Sequence, residues 1–128
     1  MYNGFISERE PQGGSADAKY ITREIVLNNP SVALKVAMTV NRPQDADIDL
    51  YYKIKTTDGQ NYRKLNYDYV SRPLGYDNPD LPGSWSEWEY DIENLEEFSS
   101  FGIKVVLRSK NSATVPKVKD LRIVALAS

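Results

Sequence analysis

Carboxylates are the side chains with the most chemical reach in this chain. Glu87, Glu89 and Asp91 alternate along one stretch, Asp45, Asp47 and Asp49 along another, and Asp77 and Asp80 sit in a proline-rich segment. Carboxylate pairs hydrolyse glycosides, and oxygen-rich loops hold calcium. The first trio alternates with Trp88 and Tyr90, which reads as a solvated strand face. Neither aspartate group has the Asp-x-Asp-x-Asp-Gly spacing with a distal Glu, so both read as polar turns. The 128 residues include no His and no Cys. That removes the usual general base, thiol nucleophiles, disulfides and zinc-thiolate sites together. No serine stands in a G-x-S-x-G elbow, and Gly13-Gly14 is followed by Ser15-Ala16-Asp17 rather than by a lysine-bearing phosphate loop. The expectation is a protein with no catalytic residue, no cofactor and no metal.

The aromatic residues offer a second kind of chemistry. Nine Tyr, two Trp and three Phe are many for this length. Trp88 and Tyr52 fall on apolar strand faces and read as core. Tyr51 and Trp85 are the candidates for a sugar-stacking platform, or else cap the sheet or sit in a subunit contact.

These residues must be positioned by strands. From Val32 to Asn41 and again after a turn at Arg42-Pro43-Gln44-Asp45, apolar and polar residues alternate: Val32, Leu34, Val36, Met38 and Val40, then Ile48, Leu50, Tyr52 and Ile54. A period of two means extended strands with one face buried and the other wet. Further strands are expected at 18–27, 47–57, 85–92, 101–108 and 118–127, with a turn at Asn28–Ser31. Asp58-Gly59 signals a hairpin returning through Tyr62–Leu65, and Leu95 and Phe98 are spaced for one helical turn within 93–99. The fold class this implies is all-β: a two-sheet antiparallel sandwich with jelly-roll or Greek-key connections. Residues 1–17, with Pro11, Gly13 and Gly14, read as an extended N-terminal arm, and 18–128 as the sandwich domain. Residues 66–84, punctuated by Pro and Gly yet rich in Tyr, read as a functional or assembly loop.

Charge is balanced, with 16 basic and 18 acidic residues for a net charge of −2. Nucleic acid is therefore not the expected partner. No apolar run reaches the length of a membrane helix, and the first residues lack a secretory pattern, so a cytoplasmic origin is expected.

Several stretches carry a family likeness: Gly13–Arg23 (GGSADAKYITR), Val40–Pro43 (VNRP), Asp47–Lys53 (DIDLYYK), Phe101–Ser109 (FGIKVVLRS) and Val115–Leu126 (VPKVKDLRIVAL). In these the chain resembles a domain of virion structural proteins of tailed bacteriophages, particularly T4-like myoviruses and cyanophages, over about residues 13 to 127. The resemblance implies a non-enzymatic β-sandwich serving in a baseplate, tail, neck or fibre attachment. It implies location in the virion after synthesis in the host cytoplasm. Its partners would be other virion proteins and copies of itself in a symmetric assembly, with no nucleic acid and no membrane. Tyr2, Phe5 and Ile6 in the arm, Tyr67, Tyr69 and Tyr76 in the loop, and Trp85 are the candidate assembly contacts. The alternative is a carbohydrate- or host-receptor-binding sandwich using Tyr51 and Trp85.

Overall fold

The computed structural model describes residues 8–11, 18–110 and 113–127. Among the described residues eight strands follow in order: β1 (Ala18–Ile21), β2 (Ile25–Ser31), β3 (Ala33–Asn41), β4 (Ala46–Lys55), β5 (Asp68–Val70), β6 (Ser86–Ile92), β7 (Phe98–Ser109) and β8 (Lys117–Leu126). The larger sheet runs β1-β7-β4-β5, with β2 continuing beyond β1 along β7; the smaller runs β6-β3-β8. Every pairing is antiparallel. The protein is an all-β, two-sheet antiparallel sandwich. Among the described residues there is no α-helix, and no helix is long and apolar enough to cross a membrane.

The alternating residues do what their period requires. Leu34, Val36, Met38 and Val40 of β3 meet Ile48 and Leu50 of β4, Trp88, Tyr90 and Ile92 of β6, and Phe101, Ile103 and Val105 of β7 in one buried core. The chain crosses from the smaller sheet to the larger between β3 and β4, and Asp45 in that turn takes a left-handed φ of 67°, a conformation that aspartate tolerates better than most residues.

Three local expectations fail. Asn28–Ser31 is not a turn but the end of β2; Pro30 is accommodated because β2 is an edge strand. Tyr62–Leu65 does not return as a hairpin. Asn61 caps a 3-10 turn at Tyr62–Lys64 by accepting from the Arg63 amide, and the strand that pairs with β4 is β5. No helical turn forms at 93–99, because Asn94 has a φ of 57° and Phe98 already begins β7.

The outer face of the larger sheet also departs from the expected wet surface. Asp49, Lys53 and Lys104 are buried there. Lys53 and Lys104 are covered by a layer made of Glu8–Pro11, the 3-10 turn and Tyr67, and Asp49 is held by Tyr69 and Arg72. Arg9 and Tyr67 clasp each other: the Tyr67 amide donates to Arg9 O at 2.8 Å, and Arg9 Nε donates to Tyr67 O at 3.0 Å. Glu8, 3% exposed, faces Lys104 at 3.0 Å, Lys19 at 3.1 Å and Arg108 at 3.4 Å. Lys104 also donates to Glu8 O at 2.8 Å. Lys53 donates to Tyr62 O at 3.0 Å and Leu65 O at 3.4 Å, and lies over the Tyr62 and Tyr67 rings. Burial pulls both lysines below the ordinary ammonium range, with Glu8 opposing the shift at Lys104 and Glu24 opposing it at Lys53. Gly102 makes the layer possible: a side chain there would run into the Tyr62 hydroxyl.

Candidate functional site

A sandwich leaves two open sides, where the edges of its sheets face one another. One side is bounded by β1 and β2 over β8, the other by β5 over β6. Strand edges carry unsatisfied donors and acceptors that recruit other strands unless something prevents it.

Three of the four edges are guarded. β5 is three residues long. β6 carries Glu87, Glu89 and Asp91. The β1–β2 edge is broken between Ile21 and Ile25 and carries Pro30. β8 is guarded over its first half only, by Lys117, Lys119 and a bulge at Asp120, whose φ is 55° and where the pairing with β3 shifts register. From Arg122 to Leu126 the pairing with β3 is regular, Arg122 is held by Glu87 of β6, and Val124 and Leu126 are exposed, as is Val115 ahead of the strand. Beside it lies a cleft of about 370 Å³ lined by Tyr20, Val105, Leu107, Val118 and Leu121 together with Lys119 and Asp120. Tyr20, 58% exposed, adds apolar surface across that cleft.

The β5–β6 side is of a different character. Its cleft of about 380 Å³ is lined by Tyr52, Tyr69 and Tyr90, by Glu89, Asp91 and Glu93, and by Val70, Ser71, Pro73 and Ile92. None of these carries positive charge. The Tyr69 ring is fixed by its hydroxyl, which donates to Asp49 at 3.1 Å, and by edge contact with Tyr51 at 5.4 Å. Burial raises the Tyr52, Tyr69 and Tyr90 hydroxyls above the ordinary phenol range, and neighbouring carboxylates add to the shift.

Between these sides, the loop from Ser71 to Ser84 is pinned rather than loose. Arg42, buried, donates to Tyr76 O and to Ala46 O, and stacks 4.4 Å from the Tyr76 ring centroid. Arg72 covers the same ring at 4.1 Å and binds Asp49 through Nε at 2.8 Å. Asn41 donates to Leu81 O at 3.0 Å and Ser84 O at 2.6 Å, and Asp80 accepts from the Arg42 amide. The Tyr76 hydroxyl donates to Asp47 at 2.9 Å and accepts from the Ile48 amide at 3.2 Å; its pKa is pushed up to about 12, chiefly by burial. The apolar tips of the loop, Leu74 and Leu81, project into solvent.

The candidates named from the sequence are scattered by this arrangement. Tyr2, Phe5 and Ile6 lie outside the described residues. Tyr67 and Tyr76 are buried, one beneath the outer layer and the other against Trp88 at 5.2 Å, so neither is a contact for a partner; both rings pack inside because the loop folds back onto the sheets. Tyr69 and Trp85 are exposed as a contact requires. Trp85 and Tyr51 do not form one platform. Tyr51 is on the outer face of the larger sheet, whereas Trp85 precedes β6 of the smaller, with Lys119 4.0 Å from its ring centroid. Sequence reasoning missed Leu74, Leu81, Val124 and Leu126. The apolar residues on both faces of β8 were the available signal for the last two. Among the described residues no group of three or more Asp or Glu is placed to hold a metal ion.

No protein-family model matches the chain, and no curated protein matches it in sequence. Among solved structures it is similar to the EclA C-terminal domain, a sugar-binding protein, with a TM-score of 0.48 and 14% identity over 97% of this chain and 83% of that one. Function is therefore read from the residues themselves.

Proposed function

We propose that this chain is a non-catalytic β-sandwich that works by protein–protein contact, as a structural part of a tailed-phage particle: baseplate, tail, neck or fibre attachment. The single observation that supports an assembly role is the half-guarded edge of β8. A regular strand edge from Arg122 to Leu126, with Val124 and Leu126 exposed on it and Val115 exposed ahead of the strand, is a place for a neighbouring subunit's strand to add. Main-chain hydrogen bonds would supply affinity there, and the cleft beside Tyr20 and Leu121 would take a side chain of the incoming strand. The virion setting comes from the sequence resemblance.

The test is cross-linking mass spectrometry of intact particles, with wild-type chain and with Val124→Lys/Leu126→Lys. The proposal expects the chain in the particle, cross-links from Lys117 or Lys119 to a neighbour, and loss of incorporation by the double variant. Absence from the particle, or normal incorporation of the variant, would refute it. The exposed indole of Trp85, 43% accessible, supports a second reading, a carbohydrate- or receptor-binding module. Glycan-array binding that vanishes in Trp85→Ala would move the function there.

A further inference from the structure

The free edge of β8 has a main-chain pattern of its own. Leu126 O accepts from the Val32 amide at 2.9 Å, so the Leu126 carbonyl faces β3. Hydrogen-bonding direction alternates along an antiparallel strand. Val124 and Arg122, opposite Lys35 and Ala37, therefore turn their N–H and C=O groups toward β3 as well. Ile123 and Ala125 turn theirs away, to the open side of the sheet. Standing two apart, these residues are each other's complement. An antiparallel strand of the same sequence, centred on Val124, sets Ile123 against Ala125 and Ala125 against Ile123, and each pair exchanges both main-chain hydrogen bonds.

The side chains agree with that register. On the outer face it sets Val124 against Val124 and Arg122 against Leu126. Arg122 is held by Glu87 and Lys35 by Asp91 within each copy, so no unmatched charge is brought to the seam. Lys117 and Lys119 fall outside the overlap. On the inner face Ile123 and Ala125, only partly buried in one copy, are covered from the side. A register centred earlier runs into the bulge at Asp120, and one centred later shortens the overlap because β8 ends at Leu126. The acidic edge does not match itself in this way: β6 against β6 sets carboxylate against carboxylate at Glu87, Glu89 and Asp91.

We propose that the strand added to β8 is β8 of a second copy of this chain, related by a two-fold axis at Val124. Two three-stranded sheets then join into one, in the order β6-β3-β8-β8-β3-β6. This inference rests on the assembly reading above and names the subunit that the edge takes. The overlap is five residues a side, a small contact of the weak, concentration-dependent class.

The experiment is sedimentation of the whole chain from about 10 µM to about 1 mM, the range in which small contacts associate. Monomer and dimer in exchange are expected. Val124→Lys/Leu126→Lys, at exposed positions, should keep the circular dichroism of the sandwich and weaken the dimer about tenfold, because it sets like charge against like. The chain has no cysteine, so single introduced thiols report the register. Val124→Cys should form a disulfide dimer about tenfold faster than Leu74→Cys at the fully exposed loop tip, since facing Cα atoms of a non-hydrogen-bonded pair lie about 4.5 Å apart. Arg122→Cys should cross-link to Leu126→Cys in preference to itself. A chain monomeric throughout, a dimer indifferent to the double lysine variant, equal cross-linking of Val124→Cys and Leu74→Cys, or self-cross-linking of Arg122→Cys in preference to Leu126→Cys would each overturn the two-fold pairing. A monomer in solution whose Lys117 or Lys119 cross-links to a different protein in the particle sinks this inference and leaves the assembly reading standing. A dimer in solution from a chain absent from the particle does the reverse.

Discussion

The outer faces of the two sheets are built from similar residues and behave differently. On the smaller sheet, Lys35 faces Asp91 and Arg122 faces Glu87 in water, with both partners about half exposed. On the larger sheet, Glu8 faces Lys104 under cover, and neither side chain is more than 1% exposed. Pairs of the first kind contribute little, because solvent screens them and ordering two long side chains has an entropic cost. A pair of the second kind is costly to break, since removing one partner strands a charge away from water. The comparison teaches that the number of ion pairs says little about what holds this fold together; depth decides.

That contrast can be broken experimentally, and the largest effect is expected at Glu8. Glu8→Ala should destabilise the chain by about 3–5 kcal/mol in urea denaturation, because Lys104 is left beneath the layer. A loss below about 1 kcal/mol would mean that the segment carrying Glu8 lifts away and lets water in. Gly102→Ala should cost about 1–3 kcal/mol by displacing Tyr62 from its place over the strand, and Tyr62→Phe in the same chain should recover part of the loss.

Alkaline titration sharpens the comparison further, and its sign follows from the shifts. Tyr62, Tyr67, Tyr76 and Tyr90 are held above 10.0 by burial, Tyr76 at about 12. The folded chain therefore keeps phenolic protons that the unfolded chain loses, and stability falls as pH rises from about 10 through 12. Lys53 and Lys104, held below 10.5, act oppositely: the unfolded chain keeps their protons longer, so stability rises from their lowered pKa values up to about 10.5. Urea midpoints should hold or rise slightly to about pH 10 and then drop, with a shallower drop in Tyr90→Phe. The smallest effect belongs to the exposed face. Glu87→Gln should change stability by less than about 0.5 kcal/mol; a loss as large as that of Glu8→Ala would erase the distinction between the faces.

The sandwich itself was legible because β3, β4, β6 and β7 alternate in period two, and period two leaves few options for a chain with a buried face. The second layer was not. Lys53 and Lys104 sit at polar positions of that same alternation, and nothing local shows that residues 8–11 and 62–67 will cover them. Burial there is decided by contacts between distant segments, such as Glu8 with Lys104. For the same reason Tyr67 and Tyr76 looked like surface contacts: their composition fits an interface equally well as an interior. The acidic residues of β6 were visible as a trio, but not that Arg122 neutralises Glu87 while Glu89 has no ion pair among the described residues. That difference depends on β8 lying next to β3 at the far side of the sheet.

The grip on residues 71–84 has an evolutionary consequence. Asn41 and Arg42 reach mainly for main-chain oxygens, those of Tyr76, Leu81 and Ser84, which every sequence supplies. Apart from Tyr76, Asp80 and Arg72, the hold does not read the identity of what it holds. Relatives are free to exchange Leu74, Asp77 or Leu81 and so change what the tip touches, while the chassis beneath stays constant.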